Sequence, residues 1–370
     1  MEREMITFVK VWLTAYASLF YCYVMGKLVP KGIPRLLGIA PIVILFLFLP
    51  LNLSSMHLGG ATSFFLAWLA NFKLLLFAFA KGPLSSDPSI SPRRFVAVAC
   101  LPIKIQPHQK PQNPQKPRKR GQKSLLNYSI KGLILALLVQ AHRYYTHFMP
   151  KNLVLILYSF HIYLCLEIML AIAAALARAV LGIELEPQFD EPYLSTSLQD
   201  FWGRRWNIMV TSILRPTVYE PVVNIATRVI GRKWASLPAV MGTFAVSAIM
   251  HELIFFYLGR LKSTWEITWF FVLHGACLTA EIGLKKAVAG KFRLPRIVSG
   301  PLTVGFVMVT GFWLFFPPLL RFQADVRAFE EYAAVGAFLK NVGSALTLKT
   351  MNATRLIMHI SQLDENKNGT

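Results

Sequence analysis

A histidine and a glutamate interrupt the apolar segment SAIMHELIFF. His251 lies about 16 residues into a predicted membrane-spanning helix over residues 235–258, which places it roughly 24 Å from the start of that helix at 1.5 Å per residue. An ionisable side chain at that depth costs free energy and needs a reason to be there. Burial disfavours the imidazolium, so we expect a neutral ring that can accept a proton. His251 is therefore a candidate general base; the structural alternative is a buried histidine bonded to a backbone carbonyl.

The polar neighbours of His251 in the sequence differ in where their side chains point. Ser247 precedes it by one helical turn on the same face, where it can orient the ring or contact a substrate. Glu252 is adjacent and points about 100° away around the helix, so we do not expect it to pair with His251 directly.

A second pair of ionisable residues lies in the apolar segment FFVLHGACLTAEIG. His274 and Glu281 are seven residues apart and therefore nearly share one helix face. They either line one cavity, where His274 would contact a substrate, or bond polar groups on neighbouring helices. From the residues alone we favour the second interpretation.

Residues 197–207, SLQDFWGRRWN, form a compact cluster of aromatic and charged side chains that we call the motif segment. Its phenylalanine and tryptophans suit the membrane–water interface. Arg204 and Arg205 face cytosolic headgroups or a phosphate-rich ligand. By composition alone, the motif segment is an interfacial helix.

The elements that must position these residues are membrane spans. The chain is 55% hydrophobic and 15% charged, which is too little charge to cover a water-facing surface of its size. No Asp, Glu, Lys or Arg occurs in the 37 residues of 36–72 or the 24 residues of 297–320, and about 20 apolar residues suffice for one span. We therefore predict an all-α, multi-pass bundle of about eight transmembrane helices. The predicted spans are residues 5–26, 36–51, 58–80, 127–147, 152–178, 235–258, 264–284 and 297–320.

The net charge of +21 lies in the loops between these spans, where the positive-inside rule accounts for it. Counting Lys and Arg loop by loop places the N-terminus in the lumen. We therefore treat residues 1–370 as a single polytopic membrane domain without nucleic-acid binding. It contains a basic, proline-rich cytosolic linker (102–123), a cytosolic active-site loop (182–234) and a polar tail (322–370).

Several common catalytic patterns are absent from the sequence. There is no HxxxH or HxxHH box of a di-iron desaturase and no GxSxG elbow of a serine hydrolase. Walker and GxGxxG loops are also absent, which argues against nucleotide-driven pumping and dinucleotide redox chemistry. Internal repeats, which many transporters contain, are not apparent.

The motif segment, followed 44 residues after Asn207 by His251 in an apolar helix, resembles the membrane-bound O-acyltransferase superfamily. The stretch PLSSDPSISPRRFVAVACLPIKIQ, residues 83–106, resembles the plant wax synthase branch, the long-chain-alcohol O-fatty-acyltransferases. That branch also includes an acyl-CoA:sterol acyltransferase.

The resemblance implies that Asn207 and His251 are the catalytic positions and that a substrate tunnel runs through the bundle. Acyl-CoA would enter from the cytosol and a lipid alcohol from the bilayer. We expect no metal and no cofactor, since acyl-CoA is itself a substrate. Candidate substrate-binding residues are Arg204, Arg205, Trp206, Ser247 and His274.

We expect an endoplasmic reticulum enzyme that makes wax esters from a long-chain alcohol, surrounded by membrane lipids and compatible with a homodimer. A sterol or diacylglycerol acyltransferase uses the same chemistry and remains an alternative. A lipid transporter or scaffold is the alternative from another class.

Overall fold

The structure is a computed structural model that describes residues 2–87, 89–101, 125–145, 148–182, 188–288, 294–338, 340–341 and 343–344. The predicted linker 102–123 and the part of the predicted tail from 345 onward lie outside the described residues. The chain divides into two compact units, Glu2–Ala324 and a second that begins at Asp325. Within the second unit, residues 325–338 are helical.

The first unit is built from helices, and no strand occurs in the described part of the chain. In chain order they are α1 (Glu2–Leu28), α2 (Ile33–Asn52), α3 (Met56–Ala78), α4 (Pro92–Cys100), α5 (Leu125–Tyr145), α6 (Lys151–Leu181), α7 (Leu198–Asp200), α8 (Ile208–Leu214), α9 (Glu220–Ile230), α10 (Ser236–Gly259), α11 (Glu266–Ala287) and α12 (Arg296–Arg321). Of the helices described, seven are long and apolar enough to cross a membrane: α1, α2, α3, α6, α10, α11 and α12. The predicted all-α, multi-pass class is confirmed.

The fourth predicted span, residues 127–147, overlaps α5, which is not among these seven. Its 21 residues reach about 31 Å, the thickness of a bilayer core. Lys131 of α5 lies in a buried ion pair, with its Nζ 2.6 and 2.7 Å from the two carboxylate oxygens of Glu167 on α6. A lysine inside an apolar helix needs such a partner, so the pair joins α5 to α6 and offsets the cost of burying both charges.

A buried lysine also fastens the segment after α3. Lys73 of α3 is fully buried, and its Nζ donates to the carbonyl oxygens of Val98 and Leu101, both at 2.6 Å. These carbonyls lie at the C-terminal end of α4, where helix carbonyls lack partners within the helix. The contact holds α4 against α3, the helix that carries Trp68.

Helices α10 and α11 are antiparallel neighbours. Lys286, near the end of α11, donates to the hydroxyl of Ser236 at the start of α10, at 2.6 Å. Gly275 allows the two helices to approach closely, because a Cβ at that position would lie 2.8 Å from the Cβ of Phe244. This packing fixes the register of His251 on α10 against the aromatic face of α11.

Four helical stretches in the described part of the first unit depart from α-geometry in the same way. Ser63–Ala70 within α3, Phe201–Arg205 after α7, Arg215–Tyr219 between α8 and α9 and Gly311–Phe315 within α12 are wound as π-helix. A π turn holds one more residue than an α turn, so it rotates the side chains that follow it, and such turns occur frequently at functional sites. The first, second and fourth of these stretches contribute Trp68, Trp202 and Phe315, whose surroundings are described below.

We expect the protein to lose stability when one partner of the Lys131–Glu167 pair is replaced, and to keep most of its stability when both partners are replaced by apolar residues. Lys131→Met removes the cation that compensates a buried carboxylate and should cost roughly 3–5 kcal/mol. The double variant Lys131→Met/Glu167→Leu should recover most of that loss. The measurement is the apparent Tm of the detergent-purified protein.

The control is Arg215→Ala. It breaks an ion pair with Glu220 whose side chains are 70% and 55% exposed, so it should cost about 1 kcal/mol at most. A Lys131→Met protein as stable as the wild type would show that the buried pair does not hold α5 in place.

Candidate active site

The two ring nitrogens of His251 have different surroundings. Nδ1 lies 2.7 Å from the backbone carbonyl oxygen of Ser247, one turn earlier in α10. A carbonyl oxygen can only accept, so Nδ1 carries the hydrogen, and in the neutral ring Nε2 carries the lone pair. Nε2 has no hydrogen-bond partner among the described residues. The predicted role of Ser247 in orienting the ring therefore belongs to its carbonyl group, and one nitrogen stays available as a base.

Aromatic rings surround the imidazole. The centroid of Phe271 on α11 is 4.2 Å from that of His251, the indole of Trp68 on α3 is 5.0 Å away at 83°, and Phe315 on α12 is 6.5 Å away. The residue nevertheless remains partly accessible. The imidazole thus lies in apolar surroundings, in a residue that is not fully enclosed.

Glu252 points away from this site, as predicted. Its carboxylate accepts from the Ser263 hydroxyl and from the Thr268 amide and hydroxyl, the last two at 3.0 and 2.9 Å. It caps the first turn of α11 and connects α10 to α11 near the loop between them.

The motif segment is helical from Leu198 to Arg205, and its contacts go beyond what its composition predicted. The hydroxyl of Ser197 accepts the amide of Asp200 at 3.1 Å and starts α7. The π turn Phe201–Arg205 then closes through a bond from the Trp206 amide to the Phe201 carbonyl at 2.9 Å. The Trp202 ring packs inside the bundle, against the aromatic residues Phe244 (5.5 Å), Phe270 (6.3 Å) and Phe271 (6.0 Å).

Two residues of α11 hold the motif segment. The amide of Leu198, at the start of α7, donates to Oε2 of Glu281 at 2.9 Å. The indole N–H of Trp202 donates to Nδ1 of His274 at 3.1 Å. His274 and Glu281 do share a face, as their spacing predicted, and on that face they bond polar groups of the motif segment.

Both ring nitrogens of His274 are occupied by protein groups. An indole N–H can only donate, so Nδ1 of His274 is the acceptor and Nε2 carries the hydrogen. Nε2 lies 2.8 Å from the hydroxyl of Thr310 on α12, and that hydroxyl donates to the Phe306 carbonyl at 2.7 Å. His274 is fully buried, and this arrangement favours a positioning role over the substrate contact expected from the sequence.

Asn207 ends the motif segment in a left-handed conformation, with φ 39° and ψ 64°. Asparagine tolerates this region better than most residues, which fits its place at the turn into α8. The side-chain amide does not cap α8, and its buried Oδ1 has no hydrogen-bond partner among the described residues. A buried, unpaired amide oxygen is available to a ligand.

Of the remaining predicted binding residues, Arg205 and Trp206 contact other protein groups, whereas Arg204 is exposed to solvent. Arg205 donates to Asp200 at 2.8 Å and to the Asp190 carbonyl at 3.0 Å, so its guanidinium fastens the motif segment to the preceding loop. Trp206 stacks on Phe201 at 5.5 Å and 13°. Arg204 is exposed and makes no hydrogen bond or ion pair with the described part of the chain. Arg204 is therefore the guanidinium that a phosphate can reach.

A continuous aromatic contact links the motif segment to His251. The Trp202 ring, five residues before Asn207, lies 6.0 Å from Phe271, which contacts His251 at 4.2 Å. Sequence reasoning missed Trp68, Phe271 and Phe315 as neighbours of His251. Their types are common in any apolar span, so no signal in the sequence distinguished them.

Comparison with known proteins agrees with this geometry. Residues 185–273 match the membrane bound O-acyl transferase family, and that stretch contains both the motif segment and His251. Relatives that align over most of the chain give the same result, so the chain belongs to the membrane-bound O-acyltransferase family.

Within that family, the chain lies in the plant wax synthase branch. It is 50% identical to acyl-CoA–sterol O-acyltransferase 1 of Arabidopsis thaliana over 93% of this chain and 99% of the relative. It is 48% identical to the long-chain-alcohol O-fatty-acyltransferase of Simmondsia chinensis, over 90% of this chain and 94% of the relative. A probable long-chain-alcohol O-fatty-acyltransferase 3 of Arabidopsis thaliana is 46% identical over 86% and 91%.

We expect the carboxylate of Glu281 to keep the motif segment folded. Glu281→Ala removes the acceptor for the first amide of α7, and losing a cap of this kind costs about 0.5–2 kcal/mol. Local opening should rise by roughly 2- to 30-fold, and tryptic cleavage after the exposed Arg204 should accelerate accordingly. The measurement is the rate of that cleavage in detergent-purified protein.

Two variants serve as controls. Glu281→Gln retains an acceptor oxygen and should be cleaved near the wild-type rate. Lys285→Ala removes the ion pair at 2.6 Å on the other carboxylate oxygen while leaving the Leu198 contact in place. If Lys285→Ala accelerates cleavage as much as Glu281→Ala, the capping contact is not what holds the segment.

Proposed function

We propose that this protein transfers a fatty acyl group from acyl-CoA to a long-chain fatty alcohol, giving a wax ester and CoA. The observation that carries the proposal is the hydrogen-bonding state of His251, whose Nδ1 is held by a carbonyl while Nε2 is left unpaired among aromatic rings. The names of the relatives, long-chain-alcohol O-fatty-acyltransferases for the most part, support the choice of substrates.

In the proposed reaction, Nε2 of His251 accepts the proton of the alcohol hydroxyl as its oxygen attacks the thioester carbonyl carbon. The carbonyl electron pair moves onto oxygen and forms a tetrahedral intermediate. As this intermediate collapses, the C–S bond breaks, and the departing thiolate of CoA takes the proton from the imidazolium. The thioester is already activated, so the balance needs no ATP or metal. General-base catalysis of this kind contributes roughly 10²–10⁴-fold.

The remaining rate acceleration must come largely from holding two lipid-like substrates in one place. Asn207 would orient the acyl-CoA or polarise its carbonyl, since its amide makes no hydrogen bond with the described protein. We propose that a tunnel leads to His251, with acyl-CoA arriving from the cytosol beside the motif segment and the alcohol from the bilayer. The partial accessibility of His251 supports that passage.

The proposed cellular setting is the endoplasmic reticulum membrane, with the loop 182–234 on the cytosolic side, where acyl-CoA is present. The basic residues of the loops support this orientation through the positive-inside rule. The proposal includes a homodimer.

A second candidate acceptor is a sterol. The identity of 50% to acyl-CoA–sterol O-acyltransferase 1 favours it, and the same base and thioester serve both alcohols. Expression in a yeast that lacks neutral-lipid synthesis, with labelled acyl-CoA supplied to its microsomes together with a long-chain alcohol or a sterol, separates the two. If sterol esters form and wax esters do not, the wax-ester assignment is wrong, whereas the assignment as an acyltransferase still holds.

We expect His251→Ala to lower kcat for ester formation by roughly 10²–10⁴-fold, because the alcohol loses its proton acceptor. The assay measures labelled ester and free CoA thiol in the same microsomes. Ser247→Ala is the matched control, since the variant keeps the backbone carbonyl that holds Nδ1. Full ester formation by His251→Ala would exclude the base assignment, and lipid movement without thiol release would indicate a transporter.

The two neighbouring arginines should give different results when replaced. Arg204→Ala should raise the KM for acyl-CoA by about 2- to 5-fold and leave kcat unchanged, because the exposed guanidinium would contact a phosphate of CoA. The rise in KM should be smaller at high salt, which screens that contact. Arg205→Ala should instead lower the apparent Tm, since it removes the bonds to Asp200 and Asp190. Equal effects of both variants on KM would refute this division of roles.

A further inference from the structure

Trp68 has a polar atom that the fold leaves unused. The side chain is 1% exposed, and its indole N–H has no hydrogen-bond partner among the described residues. An indole N–H can only donate, and a buried donor without an acceptor costs free energy because it has given up its bond to water. Such a group calls for an explanation.

The position of Trp68 suggests what the donor is for. Its ring contacts the His251 ring, with centroids 5.0 Å apart at an interplanar angle of 83°. It lies in the π-helical stretch Ser63–Ala70 of α3, one of three such stretches whose aromatic side chains surround His251 or the ring beside it. Trp68 is thus a buried, unpaired donor beside the proposed base.

A comparison within the same part of the bundle shows that a tryptophan here can have its N–H satisfied. The indole N–H of the half-buried Trp12 on α1 donates to the hydroxyl of Thr62 on α3 at 3.2 Å. The Trp68 indole has no such hydroxyl or carbonyl among the described residues. Other buried polar atoms of the described chain also lack partners, but the Trp68 indole is in direct ring contact with His251.

We propose that the indole N–H of Trp68 donates a hydrogen bond to the thioester carbonyl oxygen of acyl-CoA and stabilises the negative charge that develops there. The proposal rests on the acyl transfer proposed above. The acceptor alcohol gives its hydrogen to Nε2 of His251, and a donor aimed at the alcohol oxygen would weaken its lone pair as a nucleophile. The carbonyl oxygen gains charge in the transition state, so a fixed donor in apolar surroundings is most effective there.

This role places a donor on α3, apart from the motif segment that ends at Asn207. Asn207 and Trp68 lie on different elements, and neither side chain makes a hydrogen bond within the described protein. The matched family stretch, residues 185–273, includes Asn207 and His251 but not Trp68. Trp68 therefore extends the catalytic set beyond that stretch.

The test replaces the N–H while keeping the ring. Trp68→Phe should lower kcat by roughly 10²-fold, the order seen when one oxyanion donor is removed, with a smaller change in the KM for acyl-CoA. Trp12→Phe removes an indole of the same kind whose N–H serves the fold, so its kcat should stay within about 2-fold of the wild type. Both variants are assayed in microsomes with labelled acyl-CoA and a long-chain alcohol.

Replacing Trp68 with benzothienylalanine, which has sulfur in place of the N–H, covers the case in which Trp68→Phe does not fold. This residue keeps the size of the ring, so a folded protein with the same loss of kcat supports the proposal. Wild-type kcat in either folded Trp68 variant, or equal losses in the Trp12 and Trp68 variants, would overturn it.

The His251→Ala result distinguishes this inference from the proposed function. If His251→Ala is inactive while both Trp68 variants turn over normally, only the role of Trp68 fails. If His251→Ala remains fully active, the base assignment fails, and with it the reason to place a carbonyl beside Trp68.

Discussion

The site depends on one hydrogen bond, from Nδ1 of His251 to the carbonyl oxygen of Ser247. Because the acceptor belongs to the preceding turn of the same helix, α10 itself fixes the orientation of the ring and its tautomer. No other element has to be in place for Nε2 to carry the lone pair. The rest of the bundle needs only to exclude bulk water from that nitrogen and leave room for a substrate, which its aromatic neighbours and partial accessibility allow.

The second requirement is to bring a polar segment to this apolar centre. The motif segment is rich in charge and has a strained turn at Asn207, so it would not enter a bundle without partners. Helix α11 supplies them, since Glu281 satisfies the first amide of α7 and His274 satisfies the indole of Trp202. Buried polar groups that are fully paired specify one arrangement, because a shifted register would leave several of them unpaired. Helix α11 thus determines the position of the motif segment.

The sequence predicted seven of the apolar helices and the place of His251 within α10 correctly, because both follow from the length of apolar runs. It also predicted correctly that His274 and Glu281 share a face and that Glu252 turns away. It did not predict that Trp202 of the motif segment packs against α10 and α11. The deciding contact, between Leu198 and Glu281, joins residues 83 positions apart, and composition indicates only that tryptophan and arginine suit an interface. The π-helical stretches were equally hidden, since no residue type marks them.

Those π-helical stretches bear on how relatives of this chain should be aligned. A π turn is equivalent to an α-helix with one residue inserted, so a relative that is regular at the same place will show a gap of a single position. Closing such a gap in Ser63–Ala70 would turn the helix beyond it by about 100° and move Trp68 relative to every residue on one side of it. Insertions and deletions of one residue at these places, rather than substitutions at the proposed catalytic positions, are where the shape of the acyl site can diverge while its chemistry stays the same.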